Sequence, residues 1–309
     1  MTEKEGNWAR WADWEAHLAG DESEDLSHVF THVRSQDADV VRAAWARDWR
    51  TRTFCNLALH LLYENTIERP RDDAIRCADA LCPIAQGKDL ELHAIKMIKD
   101  PQLTAALSEE RWRQTWPAHD GFMQDVLAYL FRPGPYVRRI RDVQSMLISM
   151  MKNRPLLGPL VREAVDLEIK SNLADPLMAL QTSVQAVFPS HPDVRRHLHR
   201  LDGPLQLWAR LYAVAFPAYG LTLRPGRSWF DLAYIYTTVA DGVLLRTRSH
   251  DGVECLTSGE DVLSAVILGM IPDIFEVARA DVETLPLRTL PDDDINWLDP
   301  HDWENDDLG

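Results

Sequence analysis

The chain is predicted to be all-α. Apolar residues recur at helical spacing over long segments, Pro and Gly interrupt those segments, and strand-type alternation bounded by hairpin turns is scarce. A length of 309 residues suggests two domains, or one large helical domain with additions. Apolar residues make up 46% and charged residues 26%, which places the chain among soluble globular proteins. No apolar run reaches membrane-spanning length without a charge, and MTEKEGNWARWADWEAHL lacks the apolar centre of a signal peptide, so a cytoplasmic protein that does not engage a membrane is expected.

Helices are predicted over residues 7–19, 24–33, 38–66, 71–86, 88–98, 102–116, 121–131, 136–153, 155–173, 175–188, 191–200, 204–219, 228–248 and 259–280. The first carries Trp8, Trp11 and Trp14 as one stripe. Trp45 and Trp49, and likewise Trp112 and Trp116, are spaced i, i+4. Such side chains fix one helix against the next, and a partner groove is the sharper alternative for the Trp8–Trp14 stripe. Asp37 is placed to cap the third helix, and Ser108 opens a capping pattern, SEER. Asp175-Pro176 and Gly203-Pro204 put Pro in a first turn, where its missing N–H costs little, and His191-Pro192-Asp193 is a further helix entry. Ahead of the helix at 228–248 stand the turn Pro225-Gly226 and Ser228, a good N-cap. The run Trp229–Leu245 has only Asp231 and Asp241 charged, so this helix must be buried in a core or an oligomer interface.

The net charge of -15 is concentrated at the ends. Residues 1–28 hold eight acids against Lys4 and Arg10, a balance of -6, and residues 291–309 hold eight acids and no Lys or Arg, which leaves -1 for residues 29–290. A protein held to DNA by phosphates should show a basic surface, and the whole-chain charge argues against one. The tail at 285–309 mixes Asp with Ile295, Trp297, Leu298 and Trp303 and reads as an acidic disordered segment, either solvating or docking onto a protein partner.

Cys55, Cys77, Cys82 and Cys255 form no CxxC pair and read as buried free thiols. His28 and His32 would share a helix face with Glu24, a spacing that can hold zinc, but no further ligand is evident. His191, His197 and His199 sit among Arg195, Arg196 and Arg200, which would repel a cation. There is no GxSxG elbow, no Gly-rich phosphate loop and no HExxH. Neither a metal nor a cofactor is expected, and a helical enzyme ranks last among the functional readings.

The stretch Gly220–His250, GLTLRPGRSWFDLAYIYTTVADGVLLRTRSH, resembles the late helix of TetR-type (tetracycline-repressor-like) regulators, in which an "LRPG…DLA…DG…LR" string opens a dimer-forming helix. The resemblance covers 141–280 best. It implies a TetR-like helical bundle with an additional N-terminal helical region: residues 1–87 with one degenerate helix-turn-helix, 88–140 as a second degenerate head, 141–284 as the effector-binding and dimerisation domain, and 285–309 as the tail. In the family a turn of the type "IA..AGVS" is followed by "LYxHF" and "SK..L". Leu18–Val40 matches with Ser23 at the turn Gly and with Glu24-Asp25 entering the recognition helix, where like charge would repel phosphate. His119–Arg141 matches with Gly121 at the turn and Leu127–Phe131 on "LYxHF", although Pro133-Gly134-Pro135 replaces "SK". On this second match the DNA-contacting candidates are Arg132, Tyr136, Arg138, Arg139 and Arg141.

The resemblance further implies an apolar pocket within the bundle for a small apolar or aromatic effector. Its candidate lining is Met146, Met150, Met178, Trp208, Tyr212 and Tyr234, and ordinary core is the plain alternative for each. The last two helices, 228–248 and 259–280, would form a four-helix homodimer interface through Trp229, Leu232, Val262, Val266 and Met270, with Ala265 and Gly269 permitting close approach. Two functions are therefore carried forward. One is a TetR-like transcriptional regulator whose DNA binding is weakened or lost. The other is a protein on the same fold that does not bind DNA and acts through its acidic ends.

Overall fold

The computed structural model describes residues 11, 14, 24–34, 40–68, 87–190, 192, 194–195, 202–248 and 255–291. Over them the fold is all-α, with isolated bridge pairs such as Leu156 with Pro286 and no sheet among the described residues. No helix among them is long and apolar enough to cross a membrane. The chain forms two compact units. One comprises Met1–Pro135 and Asp175–Arg200, the other Tyr136–Ala174 and Leu201–Gly309. This division differs from the expected one: residues 88–135 share a unit with the N-terminal region instead of forming a separate head, and 175–200 belong to the first unit and not to the effector domain.

In the first unit α1 (Val40–Arg47) and α2 (Trp49–Tyr63) replace the single helix expected over 38–66. Asp48 divides them. Its backbone is extended and its carboxylate accepts the amide of Arg50 at 3.0 Å, the N-cap arrangement Asp favours over helix interior. A π-helical turn, Glu64–Glu68, follows α2. Then come α3 (Gly87–Met97), α4 (Pro101–Ala105) and α5 (Glu109–Thr115). Ser108 starts α5 by accepting the amide of Arg111, and the carboxylate of Glu91 accepts the amide of Glu109, a second unpaired donor of the first turn. Next is α6 (His119–Leu130), largely buried, with Phe122, Val126 and Leu130 fully enclosed and only His119, Asp120 and Gln124 reaching solvent. Helix α9 (Pro176–Val187) opens at Asp175-Pro176 as expected, and its Gln181 amide donates to the carbonyl of Leu130 at 2.7 Å. Trp11 and Trp14 are buried, the indole N–H of Trp14 donating to the carbonyl of Asn56.

No helix forms over 24–33. Leu26, Val29, Phe30 and Val33 are buried at helix-like spacing, but after one turn, in which the Val29 and Phe30 amides donate to the Leu26 carbonyl, the backbone finds its partners elsewhere. Asp125, fully buried in α6, accepts the amides of Thr31 and His32, the His32 ring at Nδ1 and the indole N–H of Trp116. Arg34 N–H donates to the carbonyl of Thr115 at 2.7 Å. A buried carboxylate satisfied by four donors holds this segment as a turn against α6, where a helix would have kept those amides to itself.

The second unit holds α7 (Gly134–Asn153, counted from Tyr136), α8 (Leu157–Ala174), α10 (Asp202–Ala215), α11 (Trp229–Arg248) and α12 (Val262–Ile274). The expected cap at Ser228 is reciprocal: its hydroxyl accepts the amide of Asp231, and the Asp231 carboxylate accepts the amide of Ser228. Asp261 caps α12 at the amide of Ser264. Helix α12 ends six residues before the expected 280, because Ile274 and Glu276 turn to the 222–224 strand-like segment, through Arg224 N–H to Ile274 and Glu276 N–H to Thr222. The core is built on Ile140, Met151, Leu211, Leu232, Ile271 and Phe275. The expected disordered tail begins later than residue 285: Leu157 N–H donates to the Leu285 carbonyl, Leu287 N–H to that of Pro155 and Arg288 N–H to that of Ala218, which docks this stretch on the second unit. Trp8, Asp37, Cys77, Cys82, the helix expected at 71–86, the histidines at 191, 197 and 199, and the acidic stretch with Ile295, Trp297, Leu298 and Trp303 lie outside the described residues.

Candidate functional site

Of the residues expected to contact DNA, Arg132 belongs to the interior. Arg132 is 1% exposed. Its Nε meets Glu24 Oε2 at 3.3 Å, its Nη1 donates to the Tyr129 carbonyl at 2.7 Å, and its guanidinium lies 3.6 Å above the Tyr129 ring. Glu24 is thus the internal counter-ion of Arg132, and its second oxygen accepts the amide of Gly134. In the second unit Arg139 is half-buried and pairs with Glu168 at 2.9 Å, Tyr136 and Arg138 are half-buried, and Arg141 is exposed.

The helix that would read a groove on the second match is α6, which is mostly interior: only His119, Asp120 and Gln124 reach solvent, and the one fully exposed side chain is an acid that would repel phosphate. A recognition helix must present one face to the major groove. Gly121, expected at a turn with positive φ, lies inside α6, and positive φ is confined among the described residues to Gly220, Gly226 and Gly259. The physical role of Gly121 is clearance: a Cβ there would stand 2.8 Å from the Cβ of His32. On the first match, the absence of a helix over 24–34 removes the helical face that His28, His32 and Glu24 were to share.

Of the expected effector residues, Met146, Met150, Trp208 and Tyr212 come together in the second unit, Met150 within its core and the others packed against it. Trp208 and Tyr212 are 5.9 Å apart, and Tyr212 continues to Tyr236 and Phe216 at 5.7 Å each, a ladder of rings along α10 and α11. Burial drives the Tyr212 hydroxyl well above the ordinary tyrosine range, with Tyr236 and Glu168 adding to it, so it is a neutral donor. Two of the expected residues do not join. Met178 belongs to α9 in the first unit, and Tyr234 is 58% exposed, one of the outward residues of α11.

The expected dimer seam divides in the same way. Leu232 is fully buried in the core of its own unit, and Trp229 packs on Phe275 at 5.8 Å. Both were expected at an interface, and both instead serve the interior, because a helix apolar all round offers two candidate stripes. The outer stripe of α11 runs through Tyr234, Thr238, Gly242 and Leu245, with Asp231 and Asp241 also exposed. On α12 the half-exposed residues Ala265, Val266 and Gly269 lie opposite the buried Leu263, Leu268 and Ile271, while Val262 and Met270, both expected at the interface, pack against the core. A Cβ at Gly242 or Gly269 would meet nothing within 4 Å.

One cluster has no counterpart in the sequence expectations. His60 of α2 and His93 of α3, both 5% exposed, face each other with Nδ1 and Nε2 3.0 Å apart. Glu64, one turn beyond His60, brings a carboxylate oxygen to the same point, so that all three donor atoms lie within 4.8 Å of one another. Trp11 and Trp14 meet the His60 ring edge-on at 5.9 and 5.1 Å. Burial, with smaller contributions from His60 and Lys96, pulls His93 down to about 3, so its imidazole is neutral. Only the HxxxE spacing of His60 and Glu64 was visible in the sequence, and nothing there links it to a residue 33 positions from His60. No family model, no curated protein and no solved structure matches this chain.

Proposed function

We propose that the chain is a homodimeric, TetR-like effector-binding protein without DNA contact, its second unit being the effector and dimerisation module. The observation that carries this reading is the outer face of α11 and α12, where Tyr234, Leu245 and Val266 stand beside two mid-helix glycines with open space above them. Glycine inside a helix costs about 1 kcal/mol relative to alanine, and close approach of a second helix is a physical reason to keep it. The interior roles of α6 and Arg132 support the loss of DNA contact. The effector would be a small apolar or aromatic molecule entering between Trp208, Tyr212, Met146 and Met150. The acidic ends would serve a protein partner with a basic surface.

Sedimentation of the full chain tests this reading. A dimer is expected, and Val266→Asp, at a half-exposed position that leaves the fold intact, is expected to return monomers. A wild-type monomer at tens of micromolar or above would refute the module assignment. In a mobility shift at low salt no genomic fragment is expected to be retarded; a retarded band that Arg141→Ala removes would restore the DNA-binding reading.

A further inference from the structure

We propose that His60, Glu64 and His93 bind one divalent cation of the zinc class and thereby tie α2 to α3 inside the first unit. Two imidazole nitrogens and one carboxylate oxygen are a donor set zinc takes, and three protein ligands leave a fourth position for water. Calcium and magnesium require oxygen donors and do not fit two imidazoles. Ligand atoms about 2.0–2.2 Å from one tetrahedral ion lie roughly 3.4 Å apart. The 3.0 Å between His60 Nδ1 and His93 Nε2, with all three atoms inside 4.8 Å, brackets that spacing.

The three residues converge for separate backbone reasons. His60 and Glu64 are one turn apart on the same side of α2, and Glu64 begins the π turn, a widening found often at functional sites. His93 enters from the buried face of α3. A histidine–histidine hydrogen bond accounts for the two rings but not for the carboxylate that reaches the same point. Lys96 stands 3.9 Å from Glu64 Oε1. That is much longer than a strong charge-assisted hydrogen bond of about 2.8 Å, and Lys96 is exposed, so it can yield the carboxylate to an ion. Trp11 and Trp14 pack edge-on against the His60 ring and fix its orientation, while the half-exposed Glu64 leaves the fourth position open to water.

The test uses the full chain, stripped with a chelator and dialysed, titrated with Zn²⁺ by calorimetry and with Co²⁺ by visible absorption. Stoichiometric uptake, a tetrahedral cobalt spectrum and a higher melting temperature are expected. Glu64→Gln, at a partly exposed position, is expected to retain the helical circular dichroism and to weaken binding by about 10–100-fold, the loss seen even for outer-shell partners. Perturbation of the ring resonances of both His60 and His93 by Zn²⁺ in the wild type is expected as well, and needs no histidine substitution that could unfold the unit. Absence of uptake at micromolar Zn²⁺, or binding that Glu64→Gln leaves unchanged, would overturn the site.

Discussion

Replacing Arg132 by alanine distinguishes an internal ion pair from a nucleic-acid contact. Arg132 is 1% exposed and its partner Glu24 is 12% exposed, so the substitution leaves a carboxylate with little water and no counter-ion. Breaking a buried pair from one side costs about 3–5 kcal/mol. Losing the guanidinium above Tyr129, only 3.6 Å away, acts in the same direction by up to about 2 kcal/mol. The contributions overlap, and a total near 4 kcal/mol is expected, equivalent to a fall in melting temperature of roughly 10 °C for a unit of this size. Urea unfolding followed by tryptophan fluorescence reports it, since Trp112 and Trp116 lie in the same unit. Replacing both partners together, Glu24→Met with Arg132→Met, removes both charges and is expected to cost much less than the sum of the single changes. A loss below about 1 kcal/mol in Arg132→Ala, the range of exposed pairs, would refute the internal role and return Arg132 to the surface.

Two further outcomes follow from the first unit. Gly121→Ala gains helix propensity of about 1 kcal/mol, but its Cβ would stand 2.8 Å from that of His32; a net destabilisation of about 1–2 kcal/mol is expected from overpacking, and a stabilised variant in the same urea assay would contradict the packing. The Asp48 carboxyl is lowered: burial opposes ionisation, but the hydrogen bonds and charge of Arg50, with Arg111, outweigh it. The stabilisation it gives is therefore complete above the unfolded carboxyl value of about 3.9 and is lost as pH falls through the lower folded value. Asp48→Asn is expected to flatten the acid limb of stability below about pH 4 while retaining most of the cap, and an unaltered acid limb would exclude Asp48 as a source of it.

Helix entries were legible where a short local signal determines them. Asp175-Pro176 and Ser228 cap their helices as the sequence indicates, because a capping side chain bonds an amide two or three residues away. The segment at 24–34 was not legible. Its apolar spacing is helical, but the acceptor that takes its amides is Asp125, more than 90 positions along the chain. The same distance hid the role of Arg132, whose counter-ion is 108 residues away, while its nearest charged neighbours in sequence are further arginines. Helices α11 and α12 were legible as elements but not in rotation, since apolar residues on every side leave the choice between Leu232 and Val266 to tertiary packing. The pairing of His60 with His93 depends on how α2 meets α3, which no local pattern encodes.

The alternation of the two units along the polypeptide bears on how the protein can be made and dissected. The chain leaves the first unit after Pro135, contributes Tyr136–Ala174 to the second, returns for Asp175–Arg200 and leaves again. During synthesis the first unit must wait for its last helix until the ribosome has passed residue 200, with two helices of the other already released. No single cut liberates either one whole, so a truncation at residue 135 would deprive the Leu130 carbonyl of Gln181.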